Sequence, residues 1–219
     1  MRLALSGRTS GHSHHEKEGR RATVVVAQPL RRSSGTAERR GAWEHCLEGA
    51  DAVINLAGAP IADGRWTEAR KRLLTESRVL TTRLLVEAMS RRSSKPRTLV
   101  SASGIGYYGA SDDRILDESA ARGQGFLADL CLAWEAEALR AAEFGVRVVM
   151  LRTGMVLEQD GGALPKMLLP FRLFTGGPIM PGTQWVSWIH RRDHIGLHPV
   201  GAHDAECLWS QSMRWLPKL

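Results

Sequence analysis

The sequence predicts an α/β fold with a doubly wound parallel sheet, and three observations support this prediction. Short apolar runs rich in Val, Ile or Leu recur along the chain, bounded by Gly, Pro or charged residues, as is typical of buried parallel strands. Segments with the helical spacing of apolar residues lie between the later runs. Small and hydroxyl residues follow three successive runs, at the position where α/β folds bind ligands.

Each element can be placed in chain order. The five predicted strands are 2–6, 22–27, 51–57, 97–103 and 146–154. Helices are predicted over 66–91, where leucines recur on one face, and over 126–144, which stops at Gly145, a residue type suited to helix C-termini. This alternation favours right-handed crossovers between parallel strands. The segment 8–21 should supply the first crossover helix, yet it has almost no apolar residue with which to pack.

Composition bounds the class of protein. The chain has 219 residues, 43% of them hydrophobic, which is enough to bury one core. Its net charge of +7 is concentrated in residues 1–40, where nine Lys or Arg minus three Glu give +6. That segment has no aromatic residue for base stacking and no recognisable DNA-binding motif. We therefore interpret it as a solvated, poorly ordered stretch and expect no nucleic-acid partner.

Cysteine spacing and hydropathy predict the compartment. Cys46, Cys131 and Cys207 are odd in number and widely spaced, which indicates free thiols in a reducing compartment. No apolar run approaches the roughly 18 to 20 residues of a spanning helix, and the N-terminus lacks a signal-peptide pattern. We expect a soluble cytoplasmic protein with a small-molecule substrate and no membrane partner; the oligomeric state stays open.

The residues after the third, fourth and fifth strands predict a cofactor cleft. They are Asn55, Ala57 and Gly58, then Ser101, Ser103, Tyr107 and Tyr108, then Arg152 and Gly154. The carboxyl ends of parallel strands share one edge of a sheet, so their backbone and hydroxyl donors would line one cleft. Taken singly, Gly and Ser are also ordinary loop residues. We assign Asn55, Ala57, Gly58, Ser101, Arg152 and Gly154 to cofactor binding.

The loop after the first strand departs from a dinucleotide-binding pattern. Such loops place small residues at three fixed positions, so that backbone N–H groups face a pyrophosphate. Gly7 and Gly11 are four residues apart, and His14 stands where a third glycine is expected. We keep Gly7 and Gly11 as cofactor-binding candidates. The nearby histidines have no carboxylate or cysteine at fixed spacing, so no metal site is predicted.

Long blocks of the chain resemble a known family. The blocks are "DAVINLAGAPI", "VSASGIGYYG", "GQGFLADLCLAWEAEA", "RVVMLRTGMVLEQDGGALPKMLLPFRLFTGGPI" and "QWVSWIH". They resemble the atypical, epimerase-like branch of the extended short-chain dehydrogenase/reductases, the NAD(P)-dependent epimerase/dehydratase-like or SDR39U1-like group. The resemblance covers residues 41–197 and implies a Rossmann fold, an NADP-type cofactor and an unidentified small-molecule substrate.

The resemblance also implies a domain organisation. Residues 1–160 would form the NAD(P)-binding domain, with 8–40 aberrant or poorly ordered, and 161–197 would begin the substrate-binding region. Residues 198–219 form an irregular tail, so the family's C-terminal substrate lobe is largely missing. A one-base shift in frame would let DNA for residues 198–210 encode a family-like continuation. We therefore hypothesise frame disruption there and in 8–40, which sequencing the coding DNA would test.

Candidate catalytic residues follow from what the family motif lacks here. Ordinary members use the Tyr of a Y-x-x-x-K motif as acid/base, with a Ser or Thr that orients the substrate. The resemblance places Leu130 at the Tyr position and Trp134 at the Lys position, so the usual pair is missing. Tyr107 or Tyr108 could act instead, with Ser101 or Ser103 polarising a carbonyl; alternatively, the tyrosines only wall the pocket. We interpret Glu135 and Glu137 as exposed helix carboxylates.

The segment 176–193 is the predicted substrate side. Trp185 and Trp188 would cover a ligand and His190 would supply polarity, although a Trp-rich strand is as often plain core. Two function classes result. The first is an NADP-dependent epimerase or oxidoreductase acting on a small molecule. The second is a non-catalytic dinucleotide- or metabolite-binding protein, or an inactive truncated relative.

Overall fold

A computed structural model of the chain describes residues 3–5, 24–27, 42–111, 113–177 and 185–203. The strands are β1 Leu3–Leu5, β2 Val24–Ala27, β3 Ala52–Asn55, β4 Thr98–Gly104, β5 Arg147–Thr153, β6 Met155–Glu158, β7 Gly161–Gly162 and β8 Trp188–His190. The helices are α1 Glu68–Ser90, α2 Phe126–Leu139, α3 Ala163–Arg172 and α4 Arg191–His203. All five predicted strands and both predicted helices are confirmed.

The main sheet has five strands in the order β1-β2-β3-β4-β5. β2 pairs with β3, and β3 with β4, in parallel, and this register places Asn55, the last residue of β3, opposite Ser101 in the middle of β4. Ser101 was predicted to follow the fourth strand, and that placement is wrong because β4 continues to Gly104. The predicted α/β class is therefore confirmed. The predicted direction of the first strand is wrong, because β1 lies antiparallel to β2 at the edge. An antiparallel neighbour needs no crossover helix; residues 8–21, for which that helix was expected, lie outside the described residues.

Helix α1 follows from its sequence. Thr67 caps its start, since the Thr67 side chain accepts a hydrogen bond from the Arg70 backbone N–H at 3.2 Å. Leu74, Leu85 and Met89 lie on one stripe of the helix and are completely buried. α2 continues into a 3₁₀ turn over Arg140–Phe144 and ends before Gly145, whose φ of 83° is the left-handed value expected of a glycine at this position.

The chain divides into two compact units. The first unit comprises the described residues of Met1–Ala102 and Leu132–Met150, and the second those of Ser103–Cys131 and Leu151–Leu219. One apolar cluster fills the first unit, and it includes Leu47, Val53, Leu85, Met89, Leu99 and Val146. The first unit therefore has a core made from strands β3 and β4 and from helix α1.

The second unit contains a small sheet and two helices. Its strands lie in the order β7-β6-β8, with β6 parallel to β8 and antiparallel to β7. None of the ten residues of α3 is buried. Among the described residues, no helix is both long enough and apolar enough to cross a membrane.

Candidate functional site

The carboxyl ends of β3 and β4 carry a buried amide that shapes the loop after β3. The Asn55 side chain is fully buried, and its Oδ1 accepts a hydrogen bond from the Ala57 backbone N–H at 3.2 Å. Its Nδ2 donates to Thr82 Oγ1 at 2.8 Å and to Ser101 Oγ at 3.4 Å. Asn55 thus uses both ends of its amide inside the protein, and it fixes the direction in which the chain leaves the sheet.

Thr82 and Trp134 extend these contacts into the helices. Thr82 Oγ1 accepts from Asn55 Nδ2 and also from Trp134 Nε1, the latter at 2.9 Å. Neither Thr82 nor Trp134 was predicted to belong to the site. We call Asn55, Thr82, Ser101 and Trp134 the strand-end network. It joins β3, β4, α1 and α2 through hydrogen bonds that water cannot replace, because all four residues are buried.

Arg78 of α1 also holds the loop that follows β3. Its Nη2 donates to the Ala59 carbonyl at 2.9 Å and its Nη1 to the Leu74 carbonyl at 3.2 Å. The guanidinium lies 5.3 Å from the centre of a Trp134 ring, within the range of a cation–π contact. A Cβ on Gly58 would lie 2.8 Å from Arg78 Cζ. A side chain at position 58 would therefore require the guanidinium to move, so Gly58 suits the observed position of Arg78.

Residues 57–59 of this loop have only small side chains. Ala57 is completely buried, and the Ala59 backbone N–H donates to Ser77 Oγ at 3.0 Å. Hydrogen bonds from Asn55, Ser77 and Arg78 therefore hold the backbone of 55–59 in one conformation. A loop of this kind suits close approach of a ligand to its backbone, since no long side chain projects from Ala57, Gly58 or Ala59.

The second unit holds the two predicted catalytic tyrosines beside Arg152. Arg152 Nη1 donates to Tyr108 Oη at 2.9 Å and to the Glu118 carbonyl at 3.4 Å. The guanidinium carbon lies 3.5 Å from the centre of the Tyr107 ring, and the two tyrosine rings meet edge to face at 5.3 Å. We call Tyr107, Tyr108 and Arg152 the tyrosine–arginine cluster. Arg152 was predicted from sequence to bind cofactor; in the structure its contacts go to the tyrosines and Glu118.

Ser103 and Gly154 lie in the second unit and have different surroundings. Ser103 is buried within β4. A Cβ on Gly154 would lie 2.5 Å from the Ser187 carbonyl oxygen, and the neighbouring Met155 N–H donates to that oxygen at 2.8 Å. Close backbone packing therefore accounts for this glycine. Gly7 and Gly11 lie outside the described residues.

A half-buried histidine of α4, which contacts the end of β5, was missed by sequence reasoning. His194 Nε2 lies 3.1 Å from Thr153 Oγ1, and burial lowers the pKa of the imidazole below its ordinary value. The neutral ring is therefore the favoured form in the folded protein. The signal available in the sequence was position, since His194 directly follows the segment 176–193 that was assigned to the substrate side.

The predicted substrate residues do not converge on one another. Trp185 Nε1 donates to Asp113 Oδ1 at 2.7 Å, and Trp188 is 44% exposed on β8. His190 Nδ1 accepts from the Arg192 backbone N–H at 3.1 Å, and its Nε2 lies 4.0 Å from a Glu158 carboxylate oxygen. Hydrogen bonds and ion pairs within the second unit therefore account for the polar atoms of Trp185 and His190.

Two carboxylates of α2, Glu135 and Glu137, are less exposed than the sequence predicted. The prediction that Glu135 is exposed is wrong, because this residue is only 6% exposed. Glu137 is half-buried and accepts hydrogen bonds from Arg83 Nε at 2.9 Å and Arg140 Nη1 at 2.8 Å. The Arg83 hydrogen bond and then the one from Arg140 hold the pKa of Glu137 below its usual value. Helical periodicity missed this burial because the hydrophobic face of α2 is wide.

Within the first unit, the structure brings together four of the predicted cofactor residues: Asn55, Ala57, Gly58 and Ser101. Within the second unit it brings together Tyr107, Tyr108 and Arg152. Sequence reasoning missed Arg78 and Thr82. Both fall on the spacing that buries Leu74 and Met89, so a polar residue on an apolar helical stripe was the signal that could have found them.

Comparison with known proteins identifies relatives. The model of the NAD dependent epimerase/dehydratase family matches residues 5–200. An Arabidopsis thaliana epimerase family protein, the chloroplastic SDR39U1 homologue, is 43% identical over 157 residues, which are 71% of this chain and 45% of that protein. The chain spans about half the length of the curated relatives it matches.

Two solved structures are also similar. The human epimerase family protein SDR39U1, isoform 2, crystallised with NADPH, is 38% identical with a TM-score of 0.67, over 72% of this chain and 54% of that one. A nucleoside-diphosphate sugar epimerase from Corynebacterium glutamicum is 37% identical with a TM-score of 0.63, over 74% of this chain and 34% of that one. Both likenesses extend to the fold and to a substantial fraction of the residues.

Proposed function

The chain belongs to the NAD-dependent epimerase/dehydratase family, and we propose that it binds NADP and acts as an NADP-dependent epimerase or oxidoreductase on a small molecule. One observation carries this proposal. The backbone after the carboxyl end of β3 is held by Asn55, Ser77 and Arg78, and residues 57–59 carry only small side chains. The NADPH carried by the human relative supports a nicotinamide dinucleotide as the ligand.

The loop fits a dinucleotide at the carboxyl end of a parallel strand. Ligands of α/β folds lie outside these strand ends, and a nucleotide lies against backbone when no long side chain intervenes. Ala57, Gly58 and Ala59 meet this requirement, and Arg78 holds their far side through the Ala59 carbonyl. We assign Asn55, Ser77 and Arg78 as positioning residues for the loop.

The tyrosine–arginine cluster is our candidate for proton transfer. When bound, a nicotinamide ring supplies or accepts a hydride, so a protein group must give or take the matching proton. Arg152 Nη1 already donates to Tyr108 Oη, so the phenol proton can point to another acceptor. We assign Tyr108 Oη as the atom that holds this proton. Tyr107 positions the guanidinium through its ring face.

A binding protein without turnover is the second candidate, and a specific observation favours it. The two positions that the family resemblance assigns to Tyr and Lys hold Leu130 and Trp134, and both side chains are buried. Trp134 is committed to the strand-end network through Thr82. If the chain is such a binding protein, it binds the dinucleotide without turnover, and Tyr108→Phe should leave the NADPH affinity and the nicotinamide fluorescence unchanged.

The first test is a titration of the purified chain with NADPH, followed by nicotinamide fluorescence and by melting temperature. We expect saturable binding and a raised melting temperature, since a ligand that binds only the folded state stabilises it. Ser77→Ala removes the acceptor of the Ala59 N–H and should weaken NADPH binding by about fivefold, the equivalent of one modest hydrogen bond. No saturation at millimolar NADPH in a folded chain would overturn the proposal.

The same helix offers a matched control. Ser90 Oγ donates to the Glu87 carbonyl at an exposed position near the end of α1, far in sequence from the loop. Ser90→Ala makes the same chemical change as Ser77→Ala and should leave the NADPH affinity unchanged. Equal effects of the two substitutions would mean that Ser77 has no particular role in shaping the loop.

A further inference from the structure

A cavity of about 710 Å³ lies within the second unit. Its described lining comes from Tyr108, Ala110, 114–116 and 120–124, and its walls include Leu116, Ala120 and Ala121. Its volume falls within the range of small-molecule sites, roughly 300–1,000 Å³. These residues thus border space that their own side chains do not fill.

One side of the cavity is fixed by backbone packing. A Cβ on Gly123 would lie 2.1 Å from the Tyr108 carbonyl oxygen, and the Gly123 N–H donates to the Tyr107 carbonyl at 3.0 Å. Gly109 adopts a φ of 67°, the left-handed region that favours glycine, where the chain turns away from the tyrosines. These contacts hold the two ends of the loop together, so the cavity is formed before any ligand enters.

The charged side chains in the described lining are all cationic. Arg114 and Arg122 both line the cavity, and none of the described lining residues is a carboxylate. Arg122 is paired with Asp129, which lies outside the lining. Among the described residues, no hydrogen bond or ion pair engages the Arg114 side chain. One arginine is therefore free to meet an anionic group, in a geometry that suits a carboxylate.

Two acids close to Arg114 in sequence are engaged elsewhere. Asp113 Oδ1 accepts from Trp185 Nε1 at 2.7 Å, and Asp117 Oδ1 accepts from the Ser119 hydroxyl at 2.6 Å. These contacts direct both carboxylates to other partners, although the two acids and Arg114 lie within five positions of the chain.

We propose that this cavity binds a small organic acid, with its carboxylate on Arg114 and its apolar body against Leu116, Ala120 and Ala121. Gln124 is a further polar group in the wall, and it can donate to or accept from a substituent of the ligand. The cavity shares Tyr108 with the tyrosine–arginine cluster. The site goes beyond the proposed function, because the residues that would hold the acid, Arg114, Leu116, Ala120 and Ala121, have no part in the proposed dinucleotide binding or proton transfer. It binds its ligand without NADP.

The test uses 4-fluorobenzoate as the probe, titrated into the full chain without dinucleotide and followed by fluorine NMR. We expect saturable binding, with weaker binding of 4-fluorobenzyl alcohol, which has the same ring without the charge. Arg114→Gln should raise the Kd for 4-fluorobenzoate about fivefold, as expected for one partly exposed ion pair. Ala121→Trp fills the cavity without changing charge and should abolish binding.

Arg172→Gln is the matched control. Arg172 is exposed at the end of α3 and outside the cavity lining, so its substitution changes net charge equally and should leave the Kd unchanged. Equal weakening by Arg114→Gln and Arg172→Gln would show only general attraction by a basic protein and would overturn the proposal. Binding that survives Ala121→Trp, or equal affinity for the alcohol, would also overturn it. Because no dinucleotide is present, failure of NADPH binding leaves this result interpretable.

Discussion

In the first unit the large apolar side chains of α1 are buried, whereas in the second unit those of α3 lie at the surface. Leu74, Leu85 and Met89 have no exposed area, while Leu169 is 55% exposed and Phe171 60%. Both helices carry leucines at close spacing, so composition alone does not separate them. What differs is whether the neighbouring elements of the same unit supply a second apolar surface.

The polar groups of the two units differ in a similar way. The strand-end network is buried, and its members bond to one another or to nearby backbone. The tyrosine–arginine cluster combines a buried Tyr108 with a half-buried Tyr107, and Arg114, which lines the cavity of the same unit, has no hydrogen bond or ion pair from its side chain among the described residues. The polar groups of the strand-end network therefore fix the backbone of their own unit, whereas Arg114 is available to the ligand that we propose.

The largest expected effect tests the burial of the two helices. Leu85→Ala should lower the free energy of unfolding by about 3 kcal/mol, because it empties space in a closed core. Leu169→Ala in α3 should change it by less than about 0.5 kcal/mol. Urea unfolding measures both. A Leu169→Ala loss as large as that of Leu85→Ala would mean that α3 packs as tightly as α1.

The next effect tests the strand-end network. Thr82→Val removes the hydroxyl that accepts from Asn55 and Trp134, which strands two buried donors and should cost roughly 2 kcal/mol. Thr82→Ser keeps the hydroxyl and is the control. Urea unfolding followed by Trp fluorescence measures both variants. A Thr82→Val protein as stable as the Thr82→Ser protein would show that these hydrogen bonds contribute nothing net.

A smaller effect distinguishes the two tyrosines. Tyr108→Phe deletes the acceptor of Arg152 Nη1 and should destabilise the second unit by about 1 kcal/mol. Tyr107→Phe is the matched control, because Arg152 contacts the Tyr107 ring, which this substitution retains. Hydrogen exchange of peptides from 103–131 measures the local loss. Equal protection in the two variants would contradict the assigned hydrogen bond.

The smallest effect is a difference in pH dependence. Burial lowers the pKa of His194, so protonation costs more in the folded state than in the unfolded state. Stability from this group is fully present above the unfolded value of about 6.5 and is lost as pH falls through the lower folded pKa. Glu137 in the first unit also has a lowered pKa, so its contribution is lost only in the acidic range of carboxylates.

Substitution separates these two contributions. His194→Gln should remove the part of the stability change that occurs just below pH 6.5 in the second unit, and Glu137→Gln the part near the carboxylate range in the first. Hydrogen exchange at several pH values, read from peptides of α2 and of 185–197, resolves the two units. An unchanged pH profile in peptides 185–197 of the His194→Gln protein would exclude this imidazole as the titrating group.

The sequence by itself determined the strands, the two long helices and the Gly145 stop. Local periodicity and backbone preferences report these features, since a buried strand or a helical stripe leaves its pattern within a few residues. The sequence also located Asn55 at the end of β3 and Tyr108 just beyond β4, where ligands of α/β folds bind, whereas Ser101 lies in the middle of β4. It did not predict which side chains they would contact. It also predicted the wrong direction for β1, because local pattern carries no information on which neighbour a strand pairs with.

Only the tertiary structure decided which polar side chains meet. Asn55, Thr82 and Trp134 are separated by 27 and 52 residues, and Tyr108 and Arg152 by 44, yet each pair lies within 2.9 Å. Such contacts depend on how the helices pack on the sheet, and no single segment of sequence encodes that geometry. Trp134 illustrates this dependence on packing. In the sequence it only replaces the Lys of the family motif, whereas in the fold it is a buried hydrogen-bond donor to Thr82.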